Sequence, residues 1–124
     1  MNKICTSIEQ SKKLIELGID VNTADMLWTY DFVVNDINGL NVISDNFKPE
    51  ENDVIAWSLS ALLSVLPKNL NIGCPSLDSN YMGYYWIQYY DEFMKPNNYK
   101  TECFNNPIDA CVEMIVFLKE NEKL

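Results

Sequence analysis

The side chains that could do chemistry in this sequence fall into three sets: four cysteines, eighteen carboxylates and a dense run of aromatic residues. Against them stand nine cations, all lysine, with no arginine and no histidine. Without imidazole the chain lacks the usual general base near neutral pH and the commonest metal ligand; without guanidinium it lacks the bidentate clamp for phosphate. Cys5, Cys74, Cys103 and Cys111 form no C-x-x-C pair, and there is no histidine to complete a zinc set, so neither a metal nor a cofactor is expected. A cysteine nucleophile needs a cation or base beside it, whereas Cys111 has Asp109 and Glu113 as its ionisable sequence neighbours. Free, mostly buried thiols in a reducing cytoplasm are the expectation.

The carboxylates offer two further chemistries. Asp20, Asn22 and Asp25 resemble the opening of a calcium loop, but the sixth and twelfth positions, where an EF-hand needs glycine and glutamate, hold Asp25 and Asp31. Asn22 and Asp25 are read instead as the cap of a short turn. Asp31, Asp36, Asp45 and Asp53 could supply a pair for acid and base work without histidine, provided two of them stand about 5 to 10 Å apart. A small carboxylate-dependent hydrolase is therefore carried as an alternative. No catalytic residue is assigned, because at a net charge of −9 acids make up much of any surface.

The aromatic run Y-M-G-Y-Y-W-I-Q-Y-Y-D, starting at Tyr81, alternates as a strand would. One face carries Tyr81, Tyr85, Ile87 and Tyr89, and the other Met82, Tyr84, Trp86, Gln88 and Tyr90. Neither is polar enough for open water, so the strand is expected to be covered on both sides, by helices or by a second subunit. Stacking of nucleic-acid bases needs a cationic groove, and no lysine occurs from Tyr81 to Glu92, while Asp78, Asp91 and Glu92 flank the run. Trp28, Tyr84, Trp86 and Tyr90 are the candidate binding residues, as side chains of large contact area with a polar tip. The acidic balance disfavours nucleic acid and anionic membranes as direct partners and favours basic proteins. It also carries a second alternative, an acidic inhibitor occupying a basic nucleic-acid site of a host protein. No run of about 18 apolar residues could span a membrane, and Cys5, Thr6 and Ser7 interrupt what would be a signal-peptide core.

The elements that must position these residues follow from period and punctuation. T-S-I-E at Thr6 to Glu9 predicts a capping box and a helix from near Ser7, ended by Gly18 with Ile19 closing the contact. Met26 to Val34 has a period of two, with Trp28, Tyr30, Phe32 and Val34 on one face, and Asn38-Gly39 predicts a type I′ turn into a returning strand at Leu40 to Ile43. Asn46 to Asn52 reads as loop, and a second helix is expected from Asp53 to Leu66, ended by Pro67. Asn69 to Asn80 is expected to be loop with at most a short strand near Pro75 to Asp78. Pro96 and its asparagines break the chain before a last short strand at Tyr99 to Phe104. Asn106-Pro107 then opens a helix reaching about Glu120.

Three blocks, TSIEQSKKLIELGI with TADM, AWSLSALLSVLP, and NPIDACVEMIVFLKEN, resemble a group of small proteins of phages, prophages and mobile elements of gut anaerobes. Ile55 stands where that group is expected to have proline. The tyrosine-rich strand followed by an N-P-x-D-A helix is also similar to a phage domain described as an α-β-α sandwich. The resemblance implies a phage-type context and transfers no catalytic residue.

These readings converge on one α+β domain over residues 1–124. Three amphipathic helices are expected on a mainly antiparallel sheet of about three to five strands, with α-β-α layering as the form the resemblance suggests. The expected function is that of a non-enzymatic accessory protein of phage type that contacts a protein partner or a second copy of itself. No small-molecule ligand is assigned.

Overall fold

A computed structural model of the chain describes residues 3–44, 48–69 and 71–124. Helix α1 spans Ile8–Glu16, strands β1 and β2 span Met26–Asp31 and Asp36–Val42, and β3 spans Val54–Ala56. Helix α2 (Leu59–Val65), strands β4 (Cys74–Ser79), β5 (Tyr85–Tyr90) and β6 (Pro96–Lys100), and helix α3 (Pro107–Glu120) complete the chain. The expected class, α+β with three helices and antiparallel strands, is the one formed. The strands are divided between two three-stranded sheets, ordered β2-β1-β3 and β4-β5-β6.

Helix α1 begins one residue later than the T-S-I-E reading. Ser7 is the cap: its Oγ accepts from the Gln10 amide at 3.1 Å, and the Gln10 Oε1 accepts from the Ser7 amide at 3.0 Å. Thr6 is thereby released for a buried role, its Oγ1 accepting from the Trp57 amide at 3.0 Å and lying 2.7 Å from Ser11 Oγ. At the other end the Gly18 amide donates to Ile15 O and the Ile19 amide to Leu14 O, with Leu14 and Ile19 both buried, as expected. In the 3₁₀ turn Val21–Thr23 the cap is Asp20, which accepts from the Asn22 amide at 3.0 Å, rather than Asn22. Asp25 instead accepts from both the amide and the hydroxyl of Ser58.

The first hairpin turns at residues 32–35 and not at Asn38-Gly39. Asp31 Oδ1 accepts from the Val33 amide at 2.8 Å, an Asx turn, and Asn35 takes the left-handed conformation that asparagine tolerates. Register moves from Trp28↔Leu40 to Tyr30↔Ile37, so Thr29 faces the Asn38-Gly39 pair across a bulge. Gly39 suits that place because a Cβ there would come within 2.8 Å of Thr29 Oγ1. Phe32, Val33 and Val34, expected on strand faces, are consequently exposed at the tip.

The segment expected to be one helix from Asp53 is a strand followed by a shorter helix. Val54, Ile55 and Ala56 pair with Trp28, Leu27 and Met26, and Ser58 then caps α2. The β-branched Val54 and Ile55 fit a pleated strand better than a helix turn. The short strand foreseen near Pro75 is β4. The last strand starts earlier than expected: Pro96 opens β6 instead of breaking the chain, as a strand tolerates proline at its first residue; Tyr99 and Lys100 of the expected Tyr99–Phe104 segment lie in β6, and Phe104 pairs with Tyr85 through an isolated bridge. Asn106, accepting from the Asp109 amide at 2.9 Å, and Pro107 open α3 where the sequence places it.

Helix α1 packs on β3 and on α3, and α3 packs on α2 and on β5, so the helices link the two sheets instead of flanking one sheet on both sides. The core where they meet is built on Leu14, Trp57, Leu62, Ile87, Tyr89 and Ile115, all fully buried. The Trp57 indole N–H donates to Thr23 Oγ1 at 2.9 Å, which satisfies its single polar group. Among the described residues no helix is long and apolar enough to cross a membrane.

Candidate functional site

Strand β5 separates its two faces sharply. Ile87 and Tyr89 lie under α3 with no exposed surface, whereas Trp86 and Tyr90 on the opposite face are half-buried. The aromatic strand is therefore covered by a helix on one side and not on both. Gln88 shares the open face and is nevertheless buried, because its Nε2 turns to the edge and donates to the carbonyls of Tyr89 and Asn97 at 2.9 Å each, where β6 loses register.

Cross-strand pairing builds the rest of that face. Asp78 stands opposite Trp86, Ser76 opposite Gln88, and Lys100 opposite Gln88 from the other side. The Tyr90 hydroxyl donates to Asp78 Oδ2 at 2.7 Å and the Ser76 hydroxyl to Asp78 Oδ1 at 2.7 Å. The hydrogen bond to Asp78 is the main reason the Tyr90 phenol is held above its usual range. Lys100 Nζ sits 5.5 Å from the centre of the Trp86 ring, a cation–π contact. Asp78 thus has both oxygens occupied and Tyr90 stays a neutral donor. The arrangement is a half-buried face on which two flat rings lie, with the Tyr90 hydroxyl held in place by Asp78.

Of the four residues singled out from the sequence, Trp86 and Tyr90 come together here. Tyr84 lies exposed at the β4–β5 turn, where its amide donates to Asn80 Oδ1 at 3.2 Å. Trp28 belongs to the other sheet, and its indole N–H donates to Thr6 O at 3.0 Å, holding the N-terminal segment. Sequence reasoning did not find Asp78, Ser76 or Lys100 as members; the alternation of C-P-S-L-D-S places Ser76 and Asp78 on one face, but register with Trp86 is what brings them to the site. An exposed ring stands at each end of β5: Tyr81 is 98% exposed at one turn and Phe93 74% at the other. At the Phe93 end a cleft of about 470 Å³ adjoins Tyr90.

Three of the four carboxylates weighed for acid and base work accept from backbone amides. Asp53 accepts from the amides of Tyr30 and Glu50 at 2.8 and 2.9 Å, and Asp36 accepts from the Ile37 amide at 2.8 Å. The Val33 amide and the Asn38 side chain hold the Asp31 carboxyl below its usual range. Asp45 lies outside the described residues. The thiols divide evenly, with Cys5 and Cys111 buried and Cys74 and Cys103 exposed, so they are not mostly buried. Burial pushes the Cys111 thiol up to about 12. It also raises Cys5, where Lys3 pulls the other way and Asp25 adds to the rise.

No protein-family model, curated protein or solved structure matches this chain, so the reading of the site rests on its own geometry.

Proposed function

We propose that this chain is a non-enzymatic interaction domain, an accessory protein of phage or mobile-element type, that binds a protein partner or a second copy of itself through the open face of the β4-β5-β6 sheet. The observation that carries the reading is the half-buried Trp86 and Tyr90 on a sheet face that no helix covers among the described residues, in a chain without histidine or arginine. Tyrosine and tryptophan give large contact area at low cost in side-chain entropy, and their polar tips still meet water when unbound. The phage-type context rests on the three sequence blocks alone.

The alternatives draw less support. The hydrolase reading needs a free carboxylate pair, and Asp31 and Asp53 are bound into turns by backbone amides, while Asp36, opposite Asp31 at the start of β2, accepts from the Ile37 amide. The acidic-inhibitor reading needs acids gathered along one face, and the carboxylates here occur on α1, on α3 and at the turns of both sheets.

The test is Trp86→Lys, with mass in dilute solution measured by light scattering at low and high salt and with partner recovery by pull-down. The variant is expected to keep its circular dichroism spectrum and to lose the association. A strictly monomeric parent protein that also recovers no partner would overturn the proposal.

A further inference from the structure

Two adjoining depressions run from α2 to the β5–β6 turn and share Lys68. The first, open and of about 940 Å³, is lined by Leu59, Leu63 and Leu66 together with Ser60, Ser64 and Lys68. The second, the cleft of about 470 Å³, is lined by Cys74, Tyr90, Asp91, Glu92 and Phe93. A trough of alternating leucine and serine along a helix thus leads past Lys68 into a cleft whose far wall is Tyr90, Asp91, Glu92 and Phe93.

We propose that this groove docks a basic amphipathic segment of a partner protein, with apolar side chains on Leu59 and Leu63 and one lysine or arginine in the cleft. The inference rests on the interaction reading above only in that the chain binds protein; the groove is a second surface that meets the open face at Tyr90, and the inference names its partner's chemistry. Aromatic faces attract cations, and here Tyr90 and Phe93 stand beside Asp91 and Glu92, so ring and carboxylate act on the same charge. The net charge of −9 steers a basic segment toward the molecule as a whole.

The cleft is also built in advance. Asp91 Oδ1 accepts from the Phe93 amide at 2.8 Å and the Lys95 amide at 3.0 Å, which fixes the turn that presents the Phe93 ring. Gly73 lies so close to the end of β5 that a Cβ on it would stand 2.2 Å from the Tyr90 carbonyl oxygen, so backbone packs on backbone beside the cleft. A preformed site spends less of its interaction energy on ordering. Lys68 is the one cation among the described lining residues and sits where the depressions meet. It repels a basic residue at the middle of the bound segment and so directs the cation to the Phe93 end.

The experiment uses the full chain, isotope-labelled, titrated with a leucine- and lysine-containing amphipathic peptide and with its glutamate-for-lysine counterpart. Glu92→Lys and Glu113→Lys change net charge equally, but Glu113 is exposed on α3, away from the groove. Amide shifts centred on Leu63, Lys68 and Phe93 are expected for the lysine peptide only. Glu92→Lys should weaken its binding about five-fold and Glu113→Lys less than about two-fold, as a contact charge differs from a distant one. Lys68→Gln should strengthen it. Equal weakening by the two glutamate variants, or no binding, would overturn the groove. Shifts centred on Trp86 would overturn it too while leaving the interaction reading in place, whereas failure of that reading shows separately as a monomer that recovers no partner.

Discussion

Burial sorts the cysteines into two pairs with different chemistry, and the thiolate is the form that reacts. Cys111, its thiol pushed up to about 12, and Cys5, raised by burial, hold almost no thiolate near neutral pH. Iodoacetamide at pH 8 is expected to label Cys74 and Cys103 in the folded protein and to reach Cys5 and Cys111 only in denaturant, as read by peptide mass spectrometry. Early labelling of Cys111 would contradict the packing described for α3. A second residue-scale device is the cluster that ties the N-terminal segment and α1 to α3. Asp109 Oδ1 receives Lys3 Nζ at 2.9 Å and Gln10 Nε2 at 2.7 Å, and Oδ2 receives Asn106 Nδ2 at 2.8 Å. Burial alone would raise the Asp109 carboxyl, but the hydrogen bonds from Lys3, Gln10 and Asn106 and the Lys3 charge outweigh it and hold the carboxyl below its usual range. A carboxyl depressed on folding contributes stability that is complete above its unfolded value of about 3.9 and disappears as pH falls through the lower folded value. Asp109→Asn should therefore cost about 1 kcal/mol at pH 7, a figure for a part-exposed charged hydrogen bond. The difference from the parent should shrink toward pH 3, measured as urea midpoints at both pH values.

At the scale of elements, backbone conformation decides more than side-chain type. Gly73 has φ +87° and faces the Tyr90 carbonyl, so Gly73→Ala meets both a left-handed strain and a clash with backbone that cannot step aside. Its expected cost is about 2 kcal/mol or more, with the loss falling on β4 and β5 first, as checked by urea unfolding and amide exchange. The same contrast explains what could be read in advance. The first and last helices were legible because caps and a period near 3.6 are local, as Gly18 and Asn106-Pro107 illustrate. Strand limits were not, because register is a property of two segments: Asn38-Gly39 satisfies a turn rule and yet serves a bulge opposite Thr29. Val54 and Ile55 continued a helical spacing and became a strand because Leu27 and Trp28 offer them partners. In the candidate site Trp86 and Tyr90 followed from alternation alone. Trp28, named beside them, lies in the other sheet, and the partner of its indole N–H, the Thr6 carbonyl, could not be read from sequence because it lies 22 residues away. The cleft was invisible, since Lys68, Asn69, Gly73 and Cys74 meet Tyr90 to Phe93 only after folding.

For the whole molecule the order of contacts, β3 to α1 to α3 to β5, makes the last helix the bridge between two sheets that share no strand. Ile108, Met114, Ile115 and Leu118 present one buried face to the core at which α1, α2 and β5 converge. A cavity opened there removes contacts from all of these neighbours at once, so Ile115→Ala should cost about 2 to 5 kcal/mol. Because the linkage runs through α3, the cost should appear in both sheets: amide protection in β1 and in β5 is expected to fall together, and unfolding followed by tryptophan fluorescence and by circular dichroism should coincide. Protection lost in β5 alone would mean that the β2-β1-β3 sheet stands independently of α3. The two faces of β5 give the complementary comparison, since Ile87 is fully buried under that helix and Trp86 is on the open side. Ile87→Lys places an unpaired charge in the core and should unfold the chain, while Trp86→Lys, one residue away, should leave its urea midpoint nearly unchanged. If the two lysines prove equally disruptive, the open face is packed against something in solution even in the dilute protein, and a second copy of the chain is the partner to test first.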